Sequence, residues 1–296
     1  MNKKNDTEEN LRDEYNNLWS DPDRIERANE DMLLGWHFGF YEKDIKTSKE
    51  AMLNMNKYVS HLIDLDSKKS LKVLDAGCGI GGTSILLAKD YPNSKFIGMS
   101  LALNEIELAK KLKKKYKTDN TDFIQGTYYE TEFENNYFDR IFALESICYS
   151  KNKNRFLGEM NRILKNNGKL VIIDLFRKRG DFNYYANDLE CRLFNKKPYF
   201  EKKYTIKTFE SDLKSNGFYK IRIKDLVKSS NVKFWRIYGF IINHLYSNLS
   251  LKFKHSSFKN NIFSLKCAFV FLFLIKTLLL FYSKVSYFSI TSCKKN

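Results

Sequence analysis

Apolar positions along the chain change their period twice. From Leu11 to about Leu65 they recur at helical spacing: Leu11, Tyr15, Leu18 and Trp19 share one face, as do Ala51, Met55, Tyr58 and Leu62. Between these stretches Leu34-Gly35-Trp36-His37-Phe38-Gly39-Phe40-Tyr41 is aromatic and broken by glycine, which predicts an irregular loop. Residues 1–10 are polar and charged and predict a disordered N-terminus.

From Leu71 onward short apolar runs alternate with amphipathic ones. The pattern predicts strands over residues 71–76, 95–99, 121–125, 138–144, 169–175 and 218–227. It predicts helices over 83–90, 103–116, 153–164 and 205–215, the third closed by a turn at Asn166-Asn167-Gly168. Such alternation implies the α/β class: a doubly wound, mostly parallel sheet covered on both faces. Ligands then bind outside the carboxyl ends of the strands, where the strand order reverses. The expected organisation is a disordered 1–10, a helical lid over 11–66 and one α/β domain over 67–296.

The last seventy residues break this rhythm. Residues 233–246 are rich in aromatics, and 267–275 are unbroken apolar residues that resume after Lys276 as far as Tyr282. A spanning helix needs about twenty apolar residues, and Lys276 sits in the middle of this run. On a helical wheel Lys266, Lys276, Thr277 and Lys284 gather in one sector, with Phe269 and Phe273 intruding. A helix at a membrane surface, the wall of a lipophilic pocket and a buried core helix all fit that pattern.

Charge sharpens the division. Of the 51 basic and 35 acidic residues, residues 191–296 hold 21 of the former and only four of the latter, and no acid follows Asp225. The first two thirds are therefore nearly neutral, and the net charge of +16 belongs to the last third. A one-signed surface attracts phospholipid head groups, diphosphates or nucleic acid, unless it is merely solvated. No RNA-binding module accompanies it, so nucleic acid is not the expected partner. Five cysteines without CxxC spacing, and a polar start without a secretory pattern, lead to the expectation of a reducing, intracellular and cytoplasmic setting, open to peripheral membrane contact. Neither zinc-ligand spacing nor a Walker-type loop occurs, and no metal site is expected.

The candidate chemistry lies in Val73-Leu74-Asp75-Ala76-Gly77-Cys78-Gly79-Ile80-Gly81-Gly82, a strand running into a glycine loop and a helix start. Glycines let the backbone turn tightly and approach a ligand, and the helix start offers free N–H groups. Gly77-x-Gly79-x-x-Gly82 also satisfies the weak dinucleotide pattern GxGxxG. A nicotinamide site needs an acid at the end of the second strand, but that strand ends at Met99-Ser100 with no acid before Glu105. Asp75, two residues before the first glycine, suits instead the cationic methionine end of S-adenosyl-L-methionine.

In these residues the chain resembles the class I S-adenosylmethionine-dependent methyltransferases. Asn136-Tyr137-Phe138-Asp139-Arg140-Ile141 resembles their fourth strand, and 156–170 resembles their E-x-x-R-V-L-K-P-G-G-x-L segment, with Asn166-Asn167 in place of proline and glycine. Within that superfamily the chain is similar to the tocopherol C-methyltransferase group and its sterol- and prenyl-methylating relatives. The likeness is carried by His37-Phe38-Gly39-Phe40-Tyr41-Glu42, Gly79-Ile80-Gly81-Gly82-Thr83-Ser84, Gly98-Met99-Ser100-Leu101 and the tail from Val285 to Lys295. Thr127 stands where relatives often carry aspartate, and Glu145-Ser146-Ile147-Cys148-Tyr149 lacks the histidine of tocopherol enzymes.

The resemblance implies a Rossmann-like, seven-stranded sheet with an N-terminal helical lid and a helical elaboration over about 228–283 before the last strand. It implies methylation of a lipophilic small molecule (a prenylated phenol, sterol or terpenoid) at carbon, with N- or O-methylation of an amine or phenol, or binding without turnover, as alternatives. Asp75, Gly77, Cys78, Gly79 and Gly81 would then cradle the methionine end of the donor. Ser100 and Leu101 would lie beside the ribose and adenine, and Thr127 and Tyr128 would border the adenine. Tyr15 and the 36–41 loop resemble the lid. Glu145, at the ligand edge of the fourth strand, is the candidate electrostatic group or general base. His37 and Tyr149 are the further candidates for the catalytic side.

Overall fold

The computed structural model describes residues 6–21, 37–178, 204–226 and 285–295. The expected elaboration over 228–283 falls outside the described residues, as do Trp36 and its neighbours 22–35. Two helices precede the sheet: α1 (Asp6–Leu18) and α2 (Ser48–Leu62). The disorder expected over 1–10 is corrected at Asp6, where α1 already begins. Its first turn carries Asp6, Glu8 and Glu9, whose negative charge favours the N-terminal end of a helix dipole. Helix α2 starts in a reciprocal cap: the Glu50 amide donates to Thr47 Oγ1 at 3.2 Å, and the Thr47 amide donates to Glu50 Oε2 at 2.9 Å.

The sheet and its helices follow: β1 (Lys72–Ala76), α3 (Gly82–Asp90), β2 (Lys95–Ser100), α4 (Leu103–Tyr116), β3 (Thr121–Gln125) and β4 (Phe138–Leu144). A 3-10 turn (Ile147–Tyr149) leads to α5 (Lys153–Ile163), β5 (Leu164–Arg177), α6 (Ile206–Ser215), β6 (Phe218–Asp225) and β7 (Val285–Lys294). The seven strands run in the order β3-β2-β1-β4-β5-β7-β6. Strands β1 to β5 pair in parallel, and β7 enters antiparallel between β5 and β6. This is the doubly wound, mostly parallel, Rossmann-like sheet expected, and its order reverses between β1 and β4.

One boundary differs from expectation. Strand β5 begins at Leu164, directly at the end of α5, with Phe138 opposite Leu164 and Arg140 opposite Lys169. The Asn166-Asn167-Gly168 segment is an irregular part of that strand, not a separate turn. Asn167 takes φ 58°, a left-handed conformation that asparagine tolerates.

Successive residues of a strand face opposite sides, so each strand feeds two cores. Leu74, Ala76, Ala143 and Ile172 pack with Phe156, Leu157 and Met160 of α5 and with Phe209 and Leu213 of α6. Val73, Phe96, Phe142, Val171 and Tyr287 pack with Met55 and Val59 of α2, with Ile63 just past its end and with Leu87 of α3. Helix α1 docks on α4, where Asn104 donates from its amide to Asn16 Oδ1 at 3.1 Å and from Nδ2 to Asn16 O at 2.8 Å. All the candidate site residues thereby reach the carboxyl-end edge of the sheet. Among the described residues no helix is long and apolar enough to cross a membrane.

Candidate active site

The glycine loop is fastened to the neighbouring strand. The amides of Gly77 and Cys78 both donate to Met99 O at 2.9 Å, which bends the chain sharply off β1. Gly77 has φ 97°, and a Cβ there would stand 2.3 Å from Ser146 Cβ. Gly81, the residue before α3, has φ 81°, and its Cβ would lie 2.5 Å from the Phe123 ring. Gly79 is different: at φ 53° its Cβ would meet only Glu105 Oε1, at 3.8 Å. The space over Gly79 is thus a cradle that a larger side chain would fill, while Gly77 and Gly81 are enclosed by the protein.

Two buried acids border that cradle. Asp75 is 3% exposed, and its Oδ2 accepts from Ser84 Oγ of α3 at 2.8 Å. Burial with only a hydroxyl partner pushes its carboxyl up to about 7. Glu105 is buried at the start of α4 and accepts a hydrogen bond from Ser100 Oγ at the end of β2. Glu105 lies five residues beyond the end of β2, too far along the chain for simple strand-end spacing to mark it. The helix turn folds it back to the strand end, where an acid can meet ribose hydroxyls. Acid spacing counted through the Ala102 helix start would have found it.

The remaining donor-side candidates lie around this centre. Cys78 points its sulfur at Gly98 of β2, and burial pushes its thiol well above the ordinary value, so its side chain packs while its backbone lines the loop. Leu101 O accepts from Gln125 Nε2 at 3.2 Å. Thr127 Oγ1 donates to Glu8 Oε1 of α1 at 3.3 Å, which closes α1 over the end of β3. The Tyr128 ring meets Phe156 edge-on at 5.2 Å, and its hydroxyl donates to Ser146 O at 3.4 Å, so it supports the floor beneath the turn. Tyr15 of α1 meets Tyr149 edge-on at 5.8 Å, with a hydrogen bond between the hydroxyls.

Glu145 follows β4 with φ 51°, a left-handed conformation that costs a β-carbon residue about 1–2 kcal/mol. Its amide is tied to Ile173 O at 2.8 Å. Its Oε1 accepts twice, from the Phe38 amide at 2.7 Å and from Tyr287 Oη at 2.7 Å. No cation pairs with it among the described residues, and burial pushes its carboxyl up to about 8, with the charge of Asp174 adding to the rise. Asp174 is fully buried in β5, three residues before its end; its Oδ2 accepts from the amides of Ile147 and Cys148 at 2.8 and 2.9 Å. It thus fixes the turn that carries Tyr149.

His37 is buried in the loop beside Phe38, and its Nδ1 accepts from the Gly39 amide at 3.2 Å. That bond places the proton of the neutral ring on Nε2. Neither Asp174 nor Tyr287 was singled out from the sequence. An aspartate ending an apolar strand is a recognisable signal, whereas nothing local marks Tyr287.

A model of the methyltransferase domain matches residues 67–219. The chain belongs to that family. It is a class I, S-adenosylmethionine-dependent methyltransferase, and the curated proteins it is similar to include sterol and tocopherol enzymes. Sterol 24-C-methyltransferase ERG6 of Saccharomyces cerevisiae is 32% identical over 34% of this chain and 27% of its own length. The chloroplastic tocopherol O-methyltransferase of Arabidopsis thaliana is 28% identical over 46% of this chain and 42% of its own length. The chain spans less than half the length of either relative. Geranyl diphosphate C-methyltransferase from Streptomyces coelicolor shares the fold, with a TM-score of 0.71 at 15% identity over 97% of this chain and 98% of that one.

The methyl donor fits the residues present. The open cradle over Gly79, the buried acids Asp75 and Glu105, and the absence of a basic partner for Asp75 among the described residues suit a cationic, ribose-bearing molecule.

Proposed function

We propose that this methyltransferase acts on a lipophilic small molecule (a sterol, terpenoid or prenylated phenol) and methylates it at carbon, with Glu145 as the proton acceptor. The observation that carries this reading is Glu145: a carboxyl without a paired cation among the described residues, partly exposed, at the strand end beyond the cradle and beside the Phe38 and Tyr287 rings. When bound, S-adenosylmethionine supplies an activated methyl group on a sulfonium.

The chain's own residues bind, orient and accept a proton. The glycine loop and Asp75 hold the methionine end, and Ser100 with Glu105 holds the ribose. Tyr15 and Tyr149 offer ring edges and faces that exclude water and tolerate a developing positive charge. The acceptor carbon would take the methyl group with a π electron pair, the sulfonium sulfur keeping the pair of the bond that breaks, and the cationic acceptor would then lose a proton whose bonding pair restores the π bond. The proton passes to Glu145, which becomes a neutral carboxylic acid. A carboxyl held near neutrality suits that task, because its ionised form is strengthened by a nearby cation and its acid form survives at ordinary pH.

Support for a lipophilic acceptor comes from the likeness to sterol and tocopherol enzymes and from the aromatic residues of the 36–41 segment together with Tyr149. The basic third over 191–296 would add attraction to an anionic membrane or to a diphosphate on the substrate; this rests on charge alone. The test is incubation with methyl-labelled S-adenosylmethionine and a panel of sterols, prenyl diphosphates, prenylated phenols and amines. Label in the organic extract on a carbon atom is the expected result. Label on nitrogen or oxygen would replace the carbon reading, and bound donor without transfer to any pool would make the protein a binder.

A further inference from the structure

We propose that Tyr287, delivered by the closing strand β7, is the positioning residue that aims the Glu145 carboxylate at the methyl acceptor. This deepens the reading of Glu145 as proton acceptor and rests on it.

The geometry is asymmetric at the carboxylate. Both donors, the Phe38 amide and the Tyr287 hydroxyl, reach the same oxygen, Oε1. Oε2 takes no hydrogen bond among the described residues, and Glu145 as a whole keeps partial exposure. One oxygen is therefore tethered and the other is left to receive a proton. Two donors at one oxygen leave the group little freedom to rotate, since turning it would leave a buried amide and a buried hydroxyl without partners at about 1–3 kcal/mol each.

Tyr287 is itself held on three sides. It is 1% exposed and lies opposite Leu175 in the β5–β7 ladder, and its carbonyl accepts from the Leu226 amide at 2.8 Å. Its ring meets Phe38 edge-on at 5.9 Å, so the tyrosine braces the same loop residue whose amide completes the pair. A phenylalanine would fill this volume equally well. Among the described residues the Tyr287 hydroxyl bonds Glu145 alone.

The groups that face Glu145 set the direction of the effect. Asp174 of β5 raises its pKa through like charge, the Phe38 amide and Tyr287 hydroxyl lower it, and the buried thiol of Cys148 and the His37 ring stand on the adjoining turn and loop. Removing the Tyr287 hydroxyl takes away one of two donors to the ionised form, so Glu145 must hold its proton to higher pH.

The test uses the full chain and needs no acceptor. Infrared titration follows the carboxylic-acid stretch that Glu145→Gln abolishes, in the wild type and in Tyr287→Phe, with circular dichroism to verify the fold. The expected result is a midpoint raised by about one pH unit in Tyr287→Phe, the worth of one hydrogen bond to a charged group. S-adenosylmethionine affinity by calorimetry should stay within about threefold, because Tyr287 does not border the glycine loop. If Tyr287→Phe loses its fold, 3-fluorotyrosine at position 287 keeps the shape, strengthens the donor and should lower the midpoint. A midpoint unmoved by either change in a folded protein overturns the proposal. A moved midpoint with no methyl transfer to any acceptor keeps the tether and removes its catalytic purpose.

Discussion

The two halves of the site are built in opposite ways. The donor half uses one continuous stretch, from Asp75 to Glu105, and relies on backbone shape: three glycines with positive φ, two amides pinned to Met99 O, and a helix start. The acceptor half joins four distant pieces: Phe38 in the loop, Glu145 after β4, Asp174 in β5 and Tyr287 in β7. A donor common to a whole family needs a fixed cradle, and local sequence can encode one. An acceptor site varies with substrate, and side chains brought together by the sheet can change one at a time.

The largest expected effect breaks the acceptor half alone. Glu145→Gln should lower turnover by about 100-fold or more, as loss of a general base does, while donor affinity stays within about threefold. Steady-state rates with a methylated acceptor, beside calorimetry, check the split; a parallel fall in donor affinity would merge the two halves. Breaking the donor half takes Gly79→Leu, which fills the open cradle and should weaken S-adenosylmethionine binding by about 100-fold, while its left-handed φ costs the fold only about 1–2 kcal/mol. Gly81→Ala offers the contrast. Its Cβ meets the Phe123 ring at 2.5 Å and φ is 81°, so the fold itself should lose about 3 kcal/mol, read by urea unfolding.

A smaller effect is the pH dependence of donor binding. Asp75 is raised to about 7 and Glu145 to about 8, so both hold protons in the folded protein that the unfolded chain has already released. Ligand-free stability should therefore fall as pH rises from about 4 through 8. A cationic donor favours the ionised form of Asp75, so its affinity should rise by about tenfold between pH 6 and 8. Calorimetry across that range checks the slope, and Asp75→Asn should flatten it. Glu105→Gln keeps the hydrogen-bonding shape beside Ser100 and should cost only about threefold in donor affinity, which sharpens the boundary between charge and shape in the cradle.

Sequence reading went furthest where periodicity and turn chemistry are local. Strands β3 and β4 and helix α4 fall where alternation and amphipathic spacing place them, because each carries its own buried face. The start of α1 was missed because its first turn is polar, and it is held by charge at the helix end and by contacts to Thr127 and Asn104 across the chain. The early start of β5 was missed because an Asn-Asn-Gly segment reads equally as turn or bulge. Pairing of Leu164 with Phe138 decides between them.

By itself the sequence determined the class of fold and the donor, since a strand, a glycine loop and a helix start in one run leave few other uses. Tertiary structure alone decided which acids are buried at the strand ends and how Glu145, the proposed proton acceptor, is held. Glu105 returns to the end of β2 through a helix turn. Asp174 and Tyr287 reach the site through register in the sheet, and burial sets the protonation of Asp75 and Glu145. These depend on which atoms exclude water from which others, and that is fixed only when segments as far apart as Phe38, Glu145 and Tyr287 meet.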